Sequence, residues 1–159
     1  MIRKIFLLVL TAAVFILCVS CGKQDFGHAE MKIPLNSDFE AVEIEGYDAA
    51  YSDGEKIVAA MRISFEAGFN QGIPETFTPQ EFAAFYLKEV GRDAEIQKKG
   101  YLAFCEYEIE DSGTDYYYML AFYRTKFAYF TVLFTAPLFS GEELREDFLK
   151  IAESIYFEY

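Results

Sequence analysis

Three groups of side chains in this 159-residue chain could do chemistry. Cys18 and Cys21 stand three apart in "FILCVSCGK", a spacing that suits a metal hook or a dithiol. Glu106, Glu108 and Glu110 occupy alternate positions of "CEYEIE", so in a strand they line one face. Such a row could hold a cation or supply half of the acid–base pair of glycoside hydrolysis. A solvated strand face explains the same alternation, and an acid–base pair needs a second carboxylate across a cleft. Tyr116, Tyr117 and Tyr118 offer rings that could stack on a sugar or meet a partner protein. On alternating strand faces, at least one side of that run belongs to the core.

The remaining candidates are weaker. Cys105 lies on an apolar strand face, which favours a buried small hydrophobe over a redox thiol. His28 is the single histidine, and it lies in a linker. A folded domain without histidine excludes Ser-His-Asp and Cys-His nucleophile schemes and histidine-based metal sites. There is no Gly-rich phosphate loop, and "SDGE" and "DSGTD" lack the spaced oxygens of a calcium loop. No catalytic residue, no metal and no cofactor is expected.

The cysteine pair is explained by what precedes it. Arg3 and Lys4 are followed by fifteen residues, Ile5 to Val19, with only Thr11 and Cys18 outside the plainly apolar set. A spanning helix needs about 20 apolar residues, whereas a run of this length suits a signal peptide. Cys18-Val19-Ser20-Cys21 resembles the lipobox of bacterial lipoproteins, with Cys18 where Leu is commonest. The resemblance implies cleavage before Cys21 and a diacylglycerol on its sulfur. Two acyl chains or more would then anchor the protein stably. Residues 1–20 are read as the signal peptide, 21–35 as the lipidated Cys21 and a flexible tether, and 36–159 as a single α+β domain. A tether of that length spans roughly 20 Å on average.

Without Arg3 and Lys4, the mature chain sets 12 basic against 26 acidic residues, a net charge of −14. That balance speaks against nucleic acid, which needs clustered Lys and Arg. It also predicts repulsion from anionic headgroups, leaving the lipid to do the anchoring. With Cys105 alone beside the acceptor, no internal disulfide can form. The seventeen Phe and twelve Tyr supply the core instead.

The elements follow from periodicity and punctuation. "SDG" at 52–54 turns between two strands. In the second, Ile57, Ala59, Met61, Ile63 and Phe65 share one face and Val58, Ala60, Arg62, Ser64 and Glu66 the other, predicting a half-buried strand. "GFNQGIPETF" reads as a loop. "TPQEFAAFYLKEVG" is a helix with Thr78 and Glu81 as capping box, Pro79 at its first position, a stripe of Phe82, Phe85, Tyr86 and Val90, and Gly91 as stop. In the next strand Tyr101, Ala103, Cys105, Tyr107 and Ile109 point one way, opposite the glutamates. "DYYYMLAFY" and "KFAYFTVLFTA" are apolar on both faces and should be central, with helices on one side and partial exposure on the other. Ser140 and Glu143 suggest a second capping box, before a helix burying Leu144, Phe148, Ile151, Ala152 and Ile155. "IYFEY" is expected to end as a short strand. The fold class is α+β, an antiparallel sheet of about five to six strands packed against two main helices.

Four stretches, "YDAAYSDGEKIVAAMRISF", "TPQEFAAFYLKEVG", "YEIEDSGTDYYYMLAFY" and "FLKIAESIYF", carry a resemblance to the PsbP-like family. They cover most of residues 38–159. The family includes photosystem accessory proteins, a Ran-binding nuclear import factor and small bacterial lipoproteins, so the resemblance implies a fold more than an activity. The expected function is a membrane-anchored envelope lipoprotein acting as a non-enzymatic binding or accessory module. Its partner would be a protein or small ligand, at residues the sequence does not name. The rivals are a carboxylate-based hydrolase acting on envelope glycans and a ligand-free spacer. Replacing Cys21 with Ala is expected to release the protein from the membrane fraction or leave it unprocessed. Normal processing and retention of that variant, by fractionation and immunoblot, would refute the lipid anchor.

Overall fold

The computed structural model describes residues 29–140 and 143–159. Cys18, Cys21 and His28 lie outside the described residues, and so do the signal and lipid-attachment expectations. The elements run β1 (Glu30–Lys32), β2 (Glu40–Val42), β3 (Ala49–Ser52), β4 (Ile57–Ser64), α1 (Phe65–Asn70), α2 (Pro79–Glu89), β5 (Gln97–Lys99), β6 (Leu102–Asp111), β7 (Thr114–Arg124), β8 (Ala128–Pro137), α3 (Leu144–Ser154) and β9 (Tyr156–Glu158). This is the expected α+β class with a larger sheet. Seven antiparallel strands lie in the order β2-β3-β4-β8-β7-β6-β5, and β1 pairs with β9 in a separate ladder.

The two most apolar strands are central, as their composition predicts. β7 pairs with β6 on one side and β8 on the other, and β8 pairs in turn with β4. Two local signals set this register. Ser112 and Gly113 both take positive φ, 54° and 82°, which gives the β6–β7 hairpin a two-residue turn twisted like its strands. At the β7–β8 turn the Thr125 hydroxyl accepts from the Phe127 and Ala128 amides, at 3.2 and 3.1 Å.

Both sheet faces are covered, and here the structure departs from the reading of the sequence. Phe130, Val132 and Phe134 of β8 join Phe148, Leu149 and Ala152 of α3 in one core. Tyr129 and Leu133 join Phe82, Ala83 and Leu87 of α2 in the other. The second face of the central strands is therefore not partly exposed. Nor is β4 half-buried, since Val58 and Ala60 lie under the α3 side as fully as Ala59 lies under the α2 side. Part of the cover comes from residues assigned to the tether. Ala29 is buried, β1 pairs with β9, and Met31, Ile33 and Leu35 pack on the α3-side core.

The helices correct three further expectations. Phe65–Asn70 is the short helix α1, against an expected strand at Phe65 and Glu66 and an expected loop at Gly68–Asn70, and the Ser64 hydroxyl accepts from the Ala67 amide at 3.1 Å. Helix α2 has its full capping box: the Thr78 amide donates to Glu81 Oε2 at 2.7 Å, and the Glu81 amide donates to Thr78 Oγ1 at 3.3 Å. It ends as Gly91 predicts, the Arg92 amide donating to Leu87 O at 2.9 Å and the Gly91 amide to Lys88 O at 3.2 Å. Its buried face is Phe82, Ala83 and Leu87, with Phe85 and Tyr86 half-buried. Phe82 stacks on Tyr129 at 4.5 Å and meets Phe122 edge-on at 5.7 Å. The Ser140–Glu143 box does not form. Glu143 is the N-cap of α3 without a side-chain bond, and Ser140 sits in a 3-10 turn with an unpartnered hydroxyl among the described residues. The α3 stripe is otherwise as read, with Leu149 added and Ile151 only half-buried.

These two caps make opposite predictions. Thr78→Ala should lower unfolding free energy by about 1 kcal/mol, because it removes a working cap. Ser140→Ala should stay within about 0.5 kcal/mol of the parent, because it removes no hydrogen bond. Urea unfolding followed by circular dichroism measures both, and equal losses would contradict the assignment of caps.

Candidate functional site

The structure disperses the residues that looked chemical in sequence. Cys105 is fully buried, and burial pushes its thiol up to about 12, the state of an inert core residue. Glu106, Glu108 and Glu110 do point away from Cys105, but they do not act together. Glu108 and Glu110 are exposed. Glu106 is drawn into a network on the α3 side: Tyr117 donates its hydroxyl to Glu106 Oε1, Gln97 Nε2 donates to Oε2 at 3.1 Å, and Arg145 Nε lies 2.9 Å from Oε1. Arg145 also donates to Gln97 Oε1 at 3.2 Å, so the four side chains tie β5, β6, β7 and α3 together. Among the described residues no group of three or more His, Cys, Asp or Glu could hold a metal ion.

The tyrosine run is divided by the pleat. Tyr117 packs on Phe148 in the α3-side core, while Tyr116 and Tyr118 face the α2 side. None of the three presents an exposed ring. Tyr101, expected to share the Cys105 face, leaves the strand instead. Its hydroxyl bonds the Ile155 and Glu153 carbonyls beyond the end of α3.

A different constellation emerges on the α2 side, assembled from four elements. Tyr107 of β6 and Tyr118 of β7 are cross-strand partners, their rings stacked at 5.4 Å and 6°. Tyr86 comes from α2. Tyr47 comes from the β2–β3 loop, which folds onto the same core together with Ile44. The Gly91 turn after α2 brings the Arg92 guanidinium over Tyr107, 5.2 Å from the ring centre. The loop carrying Tyr47 is pinned rather than loose. The Tyr47 amide donates to Ile44 O at 3.2 Å, the Asp48 amide to Ala60 O at 2.9 Å, and the Arg62 amide to Asp48 Oδ2 at 2.6 Å. Gly46, with φ 88°, allows the bend. The loop also surrounds an open depression of about 480 Å³ lined by residues 42–50.

The electrostatics of this tyrosine cluster are uniform. Burial raises the phenols of Tyr47 and Tyr107 well above their usual range, and pushes Tyr86 up to about 12. Arg92 pulls Tyr107 and Tyr118 the other way without reversing the shift. The phenols therefore stay neutral, able both to donate and to accept. No hydrogen bond joins the hydroxyl of Tyr47, Tyr86 or Tyr107 to a described residue, and none of the three is among the fully buried unpartnered side-chain atoms. Hydroxyls at the edge of a packed aromatic cluster are open to water or to a ligand. Periodicity assigns Tyr86 and Tyr107 to core faces, and no local signal joins Tyr47 to them. The one readable hint is Arg92, placed by the helix stop just before it.

No protein-family model matches the sequence, and no curated protein does. Solved structures show the fold. A protein of Bacteroides thetaiotaomicron is similar over 82% of this chain, with TM-score 0.57 and 14% identity; this chain covers 45% of that protein. LpqN of Mycobacterium tuberculosis, described as involved in cell envelope biogenesis, is similar over 84% of this chain and 86% of its own, with TM-score 0.52 and 11% identity. The chain thus shares its α+β fold with a protein of similar extent that is involved in cell envelope biogenesis.

Proposed function

We propose that the protein is an extracytoplasmic accessory module, tethered by lipid on Cys21, that binds a ligand or partner at the tyrosine cluster without transforming it. The observation that carries the binding reading is the convergence of the neutral phenols of Tyr47, Tyr86 and Tyr107, with Arg92 over the Tyr107 ring, next to the open depression lined by residues 42–50. Rings of this kind give contact area at low entropic cost, and their hydroxyls give direction. The fold shared with LpqN supports an envelope setting. Membership of the PsbP-like family belongs to the same proposal; it rests on the four sequence stretches, and the α+β class is consistent with it. No helix among the described residues is long and apolar enough to cross a membrane, and in this reading attachment is through the lipid. The glycan-hydrolase rival has less to stand on, because Glu106 is engaged by a phenol, an amide and a guanidinium rather than facing a second carboxylate.

The buried phenols make stability depend on alkaline pH. An unfolded Tyr releases its proton near pH 10, whereas Tyr86 in the fold holds it to about 12. Stability is therefore full below pH 10 and falls above it, by about 1.4 kcal/mol per pH unit for each such phenol. Tyr86→Phe should flatten that fall between pH 10 and 12 in urea titrations; an unchanged slope would mean that Tyr86 is not held neutral.

Binding itself is tested with a photo-crosslinking phenylalanine analogue at position 47 or 86 in intact cells, and at exposed position 108 as control. Adducts are expected at 47 and 86 and to disappear with Arg92→Ala. Yields at 47 and 86 no higher than at 108 would refute the cluster as a binding site.

A further inference from the structure

The anchor segment enters the fold at one end of the sheet, and that end differs from the other in chemistry. One step before the Glu30–Glu158 pair of the β1–β9 ladder, Ala29 stands beside Tyr159. The Tyr159 ring is 6.1 Å from Phe127 and 5.9 Å from Lys126 Nζ, at the β7–β8 turn. The Phe65 amide donates to Phe127 O at 3.4 Å, and the Arg124 guanidinium lies 5.4 Å over the Phe65 ring. One helical turn beyond Phe65, Phe69 projects from α1 with 77% of its surface exposed, and Tyr159 is 72% exposed. Two aromatic rings in solvent thus stand around the exposed cations Arg124 and Lys126. The acidic residues that share this end include Glu30 and Glu158 of the ladder, both paired with Lys32, Glu66 on α1 and Glu75, whose carbonyl accepts from the Arg124 guanidinium at 2.9 and 3.1 Å. The opposite end exposes Phe139, but it also carries Asp53, Glu55, Glu110, Asp111 and Asp115.

We propose that the end formed by Phe69, Tyr159, Arg124 and Lys126 docks on the lipid surface that holds the anchor. The aromatic rings would sit at headgroup depth and Lys126 would meet anionic headgroups, with Arg124 holding the Phe65 end of α1 in place behind them. The proposal rests on the reading of Cys21 as the lipid acceptor. Whatever their conformation, residues 22–28 let Ala29 stand no more than about 28 Å from Cys21. That reach is less than the length of β7, about 35 Å at strand rise, so this end is held close to the surface. Charge agrees with placement: the far end gathers Asp53, Glu55, Glu110, Asp111 and Asp115, whereas at the anchored end Lys32, Arg124 and Lys126 offset most of the carboxylates. An anionic surface would repel the far end more than the anchored one, which favours one orientation.

The test uses the full lipidated protein in vesicles of phosphatidylcholine with phosphatidylglycerol, carrying a fluorophore on Asn70→Cys or on Asp115→Cys. Cys105 is buried and does not compete for the label. Lipid nitroxides at headgroup depth should quench the label at 70 strongly and the label at 115 weakly. Phe69→Ser with Lys126→Glu should bring quenching at 70 down to the level at 115 while the protein still floats with the vesicles. Equal quenching at both positions in floating protein would overturn the docking surface and leave the anchor standing. Quenching at neither would do the same and leave that surface to a second copy or a protein partner. Protein that does not float would overturn the anchor, and the docking surface with it.

Discussion

Strands β7 and β8 have neither a free edge nor a free face. Each is hydrogen-bonded on both sides, and along β8 eight consecutive residues from Tyr129 to Ala136 are buried. A strand so apolar in both directions must be covered twice. One cover is α2 with the β2–β3 loop; the other is α3 with the β1–β9 ladder. The remaining architecture follows from that requirement. Both covers are held by aromatic contacts, Phe82 against Tyr129 and Phe122 on one side, Phe148 against Tyr117 and Phe134 on the other.

The two covers treat polar groups differently. On the α3 side Glu106 finds a donor from each neighbouring element, so its charge is satisfied within the fold. On the α2 side Tyr47, Tyr86, Tyr107 and Tyr118 pack on the core beside one another, and burial keeps their phenols neutral. The first arrangement fastens α3 to the edge of the sheet through charge; the second fastens the β2–β3 loop and α2 through ring contacts.

Local signals in the sequence were legible wherever the physics is local. Thr78, Pro79, Glu81 and Gly91 act within one turn of helix, and Ser112-Gly113 acts within one hairpin, so each is read from a few residues. The alternation around Cys105 and Glu106 sorted their two faces correctly for the same reason. Ser140 and Glu143 had the right spacing for a cap, but the chain takes a 3-10 turn after β8 and α3 begins only at Leu144. What could not be read was cover. Residues 29–35 lack periodicity because they lie across the sheet as an edge ladder and an extended lid. The tyrosine cluster was illegible as well, since Tyr47, Tyr86, Tyr107 and Tyr118 converge only once the loop, the helix and two strands are placed.

The β1–β9 ladder also bears on timing. A chain made from its N-terminus completes β1 well before its partner, because β9 follows the rest of the described fold. Until β9 emerges, the α3-side core lacks its lid, and Phe130 and Tyr123 lack the Phe157 ring that packs on them. Contacts between such distant segments form late and slowly. Strand β1 therefore becomes fixed late, and its closure marks a chain in which α3 has already been made.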